Sequence, residues 1–179
     1  MLKKIVQEIR EFSDSEKFAE ADASCLAKID GSGFVYLWLT LIGQNNIEVE
    51  WSAEHLVLYG AGEISERQIG YESEDWEKSW ISVGNIFSNP IILDTSSGVI
   101  SLAKHGMGGW SPVRVTDDID SFFMLIHVWC QIYYREFKRN ILDEDYEVSD
   151  AFLDCLSNKV NAEVGDKIHW AGVLFAVRG

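Results

Sequence analysis

Four histidines are the side chains to consider first for metal binding or acid–base catalysis. His55, His105, His127 and His169 are far apart, and no pair has the HExxH or HxxxH spacing that places two imidazoles on one helix face. None is grouped with cysteines as structural zinc sites require. We therefore predict no metal site and no cofactor, and we expect His127 to pack beside the apolar face of its helix.

The glycine-rich stretch HGMGG at residues 105–109 resembles a phosphate-binding loop only in composition. The Walker form requires GxxxxGK followed by Ser or Thr, and that sequence is absent. The dinucleotide form GxGxxG fails because Ser111 stands where its third glycine would be. Because glycine tolerates positive φ, we predict a turn between two strands here.

Nucleophilic catalysis finds little support in this sequence. There is no GxSxG motif, and the three cysteines, Cys25, Cys130 and Cys155, have no CxxC spacing. An odd number of cysteines without a secretory signal favours reduced thiols, and we expect Cys130 to lie in the core. The prediction is that the chain is not an enzyme. A hydrolase with an unrecognised carboxylate or histidine site stays an alternative, and it would need a deep pocket holding a strongly perturbed titratable group.

Charge gives the first positive indication of function. The chain has 179 residues, of which 15 are Lys or Arg and 29 are Asp or Glu, so the net charge is −14. Such a chain repels phosphate backbones and attracts basic proteins, so we predict a basic protein partner and no direct contact with nucleic acid. The alternative is that the acidity only keeps the protein dispersed.

The acidic residues form two clusters that contain or adjoin aromatic side chains. Residues 48–77 carry nine acidic residues against the single base Arg67, and a second cluster occupies residues 143–150. Exposed aromatic rings are frequent anchors in protein interfaces. We therefore predict that the partner binds to a surface made of ten residues: Tyr71, Glu72, Glu74, Asp75, Trp76, Asp143, Glu144, Asp145, Tyr146 and Glu147. The alternative is a solvated acidic face.

Seven tryptophans are more than a core of this size requires. Trp38 and Trp129 stand in apolar surroundings, and we expect them in the core. Four more tryptophans stand beside polar or turn residues, where amphipathic rings often contact a binding partner: Trp51, Trp76, Trp80 and Trp110. For any single one of these four, partial burial under a loop is the alternative.

Length and hydropathy predict one domain, spanning residues 1–179, that does not enter a membrane. The longest apolar run, residues 34–42, is about half of the roughly 18 residues that a membrane-spanning helix needs. The first residues lack the apolar stretch of a signal peptide. We therefore expect the protein in the cytoplasm.

Two hydrophobic periods divide the chain into helices and strands. Apolar spacing predicts helices over residues 2–12, from Asp117 or Asp118 to about residue 133, and from about residue 148. Alternation and β-branched composition predict strands over residues 34–42, 47–51, 80–87, 90–93, 99–103, 112–115 and 173–177, the first two forming a hairpin. Because the central connections are short, neighbouring strands should be antiparallel. The prediction is an α+β fold with a mainly antiparallel sheet flanked by helices.

The middle of the chain resembles the SUKH superfamily, which includes cell-wall regulators and bacterial toxin-immunity proteins. Five segments carry the resemblance, over roughly 50 of the 179 residues: WISVGN at 80–85, NPIILD at 89–94, GVI at 98–100, HGMGGWSPV at 105–113 and DSF at 120–122. The family's Gly-Asp-Pro is here Ser88-Asn89-Pro90, so an amide replaces its aspartate.

The resemblance implies a SUKH-like α+β domain and a protein-binding function. Bacterial members of the family often neutralise a cognate toxin, commonly a nuclease. The expected function is therefore a non-catalytic immunity protein that binds a toxin with a basic surface. The alternative, implied by the eukaryotic relatives, is a regulatory or scaffold domain with several cellular partners.

Overall fold

The structure, a computed structural model, describes residues 1–13, 18–22, 33–52, 54–71, 75–106 and 109–178. Within these residues the chain forms an α+β domain of five α-helices and one six-stranded sheet. The helices are α1 Leu2–Glu11, α2 Gly33–Ile42, α3 Ile119–Cys130, α4 Asp150–Glu163 and α5 Trp170–Arg178. The strands are β1 Ile47–Trp51, β2 Glu54–Leu58, β3 Trp80–Ile86, β4 Asn89–Asp94, β5 Ile100–Leu102 and β6 Val113–Thr116.

The sheet is a meander, in which each strand pairs with the next in the sequence and every pair is antiparallel. This confirms the predicted α+β class and the antiparallel pairing of strands β3 to β6. Short connections explain the pairing of β1 with β2, of β3 with β4 and of β4 with β5, since a parallel return would need a long crossover. A β-bulge between Ser82 and Gly84 shifts the register of β3 against β4.

One face of the sheet packs against the helices and forms the core. Helix α3 lies at its centre and contacts α1, α4 and β6. Asp118 caps α3, since its side chain accepts a hydrogen bond of 2.7 Å from the backbone nitrogen of Ser121. Beyond Cys130 the helix continues as a π-helical segment over Gln131–Glu136. The predicted capped helix is therefore confirmed.

The strand and hairpin predicted from residues 34–42 are wrong, because these residues form helix α2. Its buried residues Val35, Trp38, Leu39 and Ile42 follow the spacing i, i+3, i+4, i+7 of a helix face. Because nearly all of these residues are apolar, the helix period is not visible in the sequence. Strand β1 pairs instead with β2, which the sequence reading missed.

The predicted final strand at residues 173–177 is also wrong, since these residues lie in helix α5. Val173, Ala176 and Val177 are buried at i, i+3 and i+4, whereas Phe175 is only half-buried. The apparent alternation of Val173, Phe175 and Val177 therefore arose by coincidence. The buried side of α5 contacts β6 and β5.

Candidate functional site

Five aromatic rings from the β2–β3 connection, the start of β3 and the β5–β6 connection pack together at the surface. Tyr71 and Trp76 lie before β3, Trp80 is the first residue of β3, and His105 and Trp110 lie between β5 and β6. We call these five residues the aromatic cluster. All are at least partly exposed, in contrast to the buried core residues Trp38, Trp51 and Trp129.

Trp76 is the centre of the aromatic cluster. Its ring stacks on Tyr71 with centroids 4.5 Å apart, and it meets Trp80 and Trp110 edge to face at 5.7 and 5.3 Å. His105 lies edge to face with Trp110 at 6.0 Å. These are the favoured geometries of aromatic pairs, so the rings support one another although solvent reaches them.

Hydrogen bonds fix the connections that carry the rings. The side chain of Asp75 accepts a bond of 2.7 Å from the backbone nitrogen of Trp110, which ties two connections together. The indole nitrogen of Trp76 donates to the carbonyl oxygen of Trp80 at 3.1 Å. Asp75 therefore has a structural role at the surface in addition to its charge.

Gln68 attaches the segment before the aromatic cluster to the sheet. Its side-chain amide donates to the carbonyl oxygen of Ser82 at 2.8 Å and accepts from the backbone nitrogen of Ser82 at 2.9 Å. The amide thus binds the backbone of β3 as a neighbouring strand would. In the same segment the apolar side chain of Ile69 is 80% exposed.

A groove opens beside Trp80 on the face of the sheet that does not pack against α3. It has a volume of about 380 Å³. Eight residues line it: Trp80, Ile92, Asp94, Ser97, Val99, Ser101, Pro112 and Arg114. Trp80 belongs to both the groove and the aromatic cluster, so the two form one continuous surface.

The structure brings together three of the ten residues predicted to bind the partner. Tyr71, Asp75 and Trp76 meet in or beside the aromatic cluster. Glu72 and Glu74 lie outside the described residues. The sequence did not predict the groove. The sequence analysis also grouped Trp51 with the tryptophans that could contact a partner. Trp51 is buried and stacks on Trp129 at 4.0 Å, so that assignment is wrong.

The other five predicted residues, Asp143, Glu144, Asp145, Tyr146 and Glu147, form a separate acidic loop before α4. The Asp143 side chain accepts hydrogen bonds from the backbone nitrogens of Asp145 and Glu147, at 2.9 and 3.0 Å. Leu142 and Val148 close the loop with an antiparallel bridge. All five side chains are exposed, and Tyr146 is exposed to 84%.

Two histidines pair with carboxylates and join elements of the fold. The Nε2 atom of His127 lies 2.7 Å from Glu8, and that of His169 lies 2.7 Å from Asp117. His127 also borders a cleft of about 460 Å³ between α1, α3 and α4. Among the residues that the structure describes, no group of three or more His, Cys, Asp or Glu side chains is arranged to hold a metal ion.

The strongly raised pKa values belong to residues packed in or against the core. Burial raises the pKa of the Cys130 thiol, and Cys130 is fully buried as predicted. Burial is also the main cause that raises the pKa of Tyr134 to about 12. Its hydroxyl oxygen accepts a hydrogen bond from the backbone nitrogen of Glu50. These shifts therefore follow from packing.

Comparison of the chain with protein-family models, with curated proteins and with solved structures returned no match. In the described part of the chain, no helix is both long and apolar enough to span a membrane.

Proposed function

We propose that this chain is a non-catalytic immunity protein that binds and neutralises a basic, nuclease-type toxin domain in the cytoplasm. The observation that carries the proposal is the aromatic cluster, a set of partly exposed rings held in place on a chain with a net charge of −14. Rigid aromatic side chains are typical anchors of tight protein interfaces. The negative charge favours a basic partner.

A nuclease domain has the complementary chemistry. Its substrate groove must attract phosphate groups and is therefore basic, so an acidic protein that occupies the groove competes with nucleic acid. Attraction between opposite charges also speeds association at low salt. The rings would then supply the apolar contact that slows dissociation.

The family resemblance supports the same function. The segments that carry the resemblance, residues 80–85, 89–94 and 105–113, include β3, β4 and the connection that holds Trp110. They therefore contribute three rings of the aromatic cluster and four of the eight residues that line the groove. A regulatory or scaffold domain with several partners is the alternative, since the same surface suits weaker interactions.

The first experiment is capture of partners by the tagged protein from a native lysate, with elution by a salt gradient and identification by mass spectrometry. We expect one basic partner, released only at high salt, whose nuclease activity falls when the purified protein is added. A series of weakly held proteins without a nuclease among them would instead support the scaffold function.

Matched variants then test the surface. Tyr71→Ala should weaken partner binding at least tenfold, whereas Tyr36→Ala, at a 60% exposed tyrosine on α2, should leave it unchanged. Charge reversal at Glu72, Glu74 and Asp75 should weaken binding and flatten its dependence on salt. Equal affinities of the two tyrosine variants would contradict the assignment of the aromatic cluster.

A further inference from the structure

Trp80 and Asp94 lie directly opposite each other at the end of the β3–β4 ladder. The backbone nitrogen of Trp80 donates to Glu77, that of Asp94 donates to Val99, and the carbonyl oxygen of Trp80 accepts from the Trp76 indole. The two residues are therefore a pair without hydrogen bonds to each other. In such a pair the side chains stand closest together, on the same face of the sheet.

Both side chains line the groove described above, and both are half-buried. Next to them Ile92 forms an apolar floor and is only 1% exposed, although it faces away from the main core. An indole, a carboxylate and an apolar floor thus border one opening of about 380 Å³.

The carboxylate of Asp94 is held in its charged form. Burial opposes its ionisation, but hydrogen bonds from Ser96, Ser97 and Ser79 together outweigh this effect, and the pKa of Asp94 is lowered. The distances are 2.9 and 2.7 Å from Ser96 to Oδ1 and 2.8 Å from Ser97 to Oδ2. A fixed negative charge therefore stands beside the indole ring.

The other end of the groove carries a positive side chain that is paired with a carboxylate. Arg114 lies on β6, two strands from Asp94 and hence about 10 Å across the sheet. Its guanidinium lies 3.3 Å from Asp117, which compensates much of its charge. The negative potential is therefore concentrated at the Trp80 end of the groove.

We propose that the groove binds a cationic side chain of the partner, an arginine or a lysine, between the ring of Trp80 and the carboxylate of Asp94. The inference rests on the proposed function, because it specifies which group of a basic partner enters this surface. A cation beside an aromatic face and a carboxylate gains from both the ring quadrupole and the ion pair.

The chain itself uses the same chemistry elsewhere. Arg67 lies over the ring of Tyr59 at 5.3 Å and is also paired with Glu63. Arg139 lies over Tyr134 at 5.3 Å and is paired with Glu50. In both cases a guanidinium contacts a ring and a carboxylate together. The groove offers the ring and the carboxylate for a cation from outside.

Arginine amide is the probe for the test, and citrulline amide, which has a neutral ureido group in place of the guanidinium, is the control ligand. Each is titrated into the full-length ¹⁵N-labelled protein while the indole N–H resonances are followed by NMR. We expect arginine amide to shift the Trp80 resonance saturably and citrulline amide to leave it in place. Equal responses to both ligands, or no response at Trp80, would overturn the inference without any variant.

Two Asp→Asn variants test whether the carboxylate of Asp94 binds the probe. Asp94→Asn should weaken arginine-amide binding about three- to tenfold, while Asp154→Asn, at an exposed position on α4, should not. Thermal unfolding of both variants verifies that the fold is retained. If they bind the probe equally, the inference is wrong.

Partner binding separates this inference from the proposed function. If the captured toxin loses affinity on Tyr71→Ala but not on Asp94→Asn, the immunity function stands and the cation site is refuted. If the protein captures several weakly held partners without a nuclease among them, but arginine amide binds at Trp80 and Asp94, the cation site stands and the proposed function is refuted.

Discussion

Trp129 donates a hydrogen bond of 3.0 Å from its indole nitrogen to the backbone carbonyl oxygen of Glu50, in edge strand β1. On the same residue, the backbone nitrogen of Glu50 donates to the hydroxyl of Tyr134 at 3.2 Å. Side chains of α3 and the π-helical segment thus occupy the edge of β1, where another strand would otherwise pair. At the opposite edge, the backbone nitrogen of His169 donates to the carbonyl oxygen of Val115 at 2.9 Å.

Replacement of Trp129 by Phe should lower the free energy of unfolding by about 2–3 kcal/mol. The change leaves the carbonyl oxygen of Glu50 without its donor and shortens the ring that stacks on Trp51. Tyr134→Phe, which removes only a hydroxyl, should cost about 1 kcal/mol. Urea denaturation followed by circular dichroism measures both. Equal losses would show that the shortened ring costs nothing beyond the lost hydrogen bond.

Gly172 allows helix α5 to contact the backbone of β6. A Cβ atom at this position would overlap the carbonyl oxygen of Arg114 and lie 3.0 Å from the Cα atom of Val115. Replacement of a helical glycine by alanine ordinarily gains about 1 kcal/mol. Here we expect Gly172→Ala to lose about 1–3 kcal/mol, because the helix must move away from the strand.

The control for this prediction is Gly33→Ala at the start of α2. Apart from Gly33 itself, its chain neighbours and the nearby backbone of α2, no atom of the described residues lies within 4 Å of a Cβ atom built on Gly33. This variant should unfold at the same urea concentration as the wild type or at a higher one. A stable Gly172→Ala protein would mean that α5 adjusts its position without cost.

The sequence predicts strands well where turns bound them and fails where an element is apolar throughout. Strands β3 to β6 are separated by short connections rich in turn residues, and these connections indicate where each strand ends. Helix α2 is so apolar that neither the helix period nor the strand period is visible in its sequence, and its β-branched and aromatic composition favoured a strand. Whether such a segment becomes a helix depends on the surfaces that cover it, which local sequence does not encode.

The candidate site was predictable only in part, for a related reason. Tyr71, Asp75 and Trp76 were found because acidic and aromatic residues are adjacent in the sequence. The pairing of Trp80 with Asp94 depends on strand register, which the bulge at residues 82–84 shifts by one position. Counting back from the β3–β4 turn without that bulge would have placed the wrong residue opposite Trp80.

Asp118 should contribute more to stability than its neighbour Asp120. Its side chain accepts from the backbone nitrogen of Ser121 and also from Lys167, both at 2.7 Å. Asp118→Ala should lower the free energy of unfolding by about 1–2 kcal/mol. Asp120→Ala, at an exposed position in the same helical turn, should change it by less than about 0.5 kcal/mol. Urea denaturation of both variants provides the comparison.

Acid should weaken the contacts that the histidines make. Hydrogen bonds from His127 and His169 lower the pKa of Glu8 and Asp117, respectively. Carboxyls with a lowered pKa stabilise the folded state at pH values above their unfolded-state pKa, and this stabilisation is lost as the pH falls through the folded-state pKa. We therefore expect the melting temperature to fall below about pH 4.5.

Variants on α1 assign this acid sensitivity. Glu8→Gln should reduce the fall in melting temperature between about pH 5 and pH 3, because the pair with His127 no longer titrates. Glu11→Gln, at an exposed position on the same helix, is the control and should behave as the wild type does. An unchanged acid profile in Glu8→Gln would show that this pair does not contribute to the pH dependence of stability.

Tyr146 combines two features that do not favour stability. Its ring is 84% exposed, and its backbone has a φ of 63°, a left-handed conformation that costs a non-glycine residue about 1 kcal/mol. Asparagine tolerates this conformation better, so Tyr146→Asn should raise the free energy of unfolding by about 0.5 kcal/mol. If the acidic loop also contacts the partner, the same variant should bind more weakly, because it lacks the exposed aromatic ring. Strain is often retained where a residue serves function. A variant that is both less stable and unchanged in binding would show that the tyrosine is kept for the fold and that the partner surface ends at the aromatic cluster.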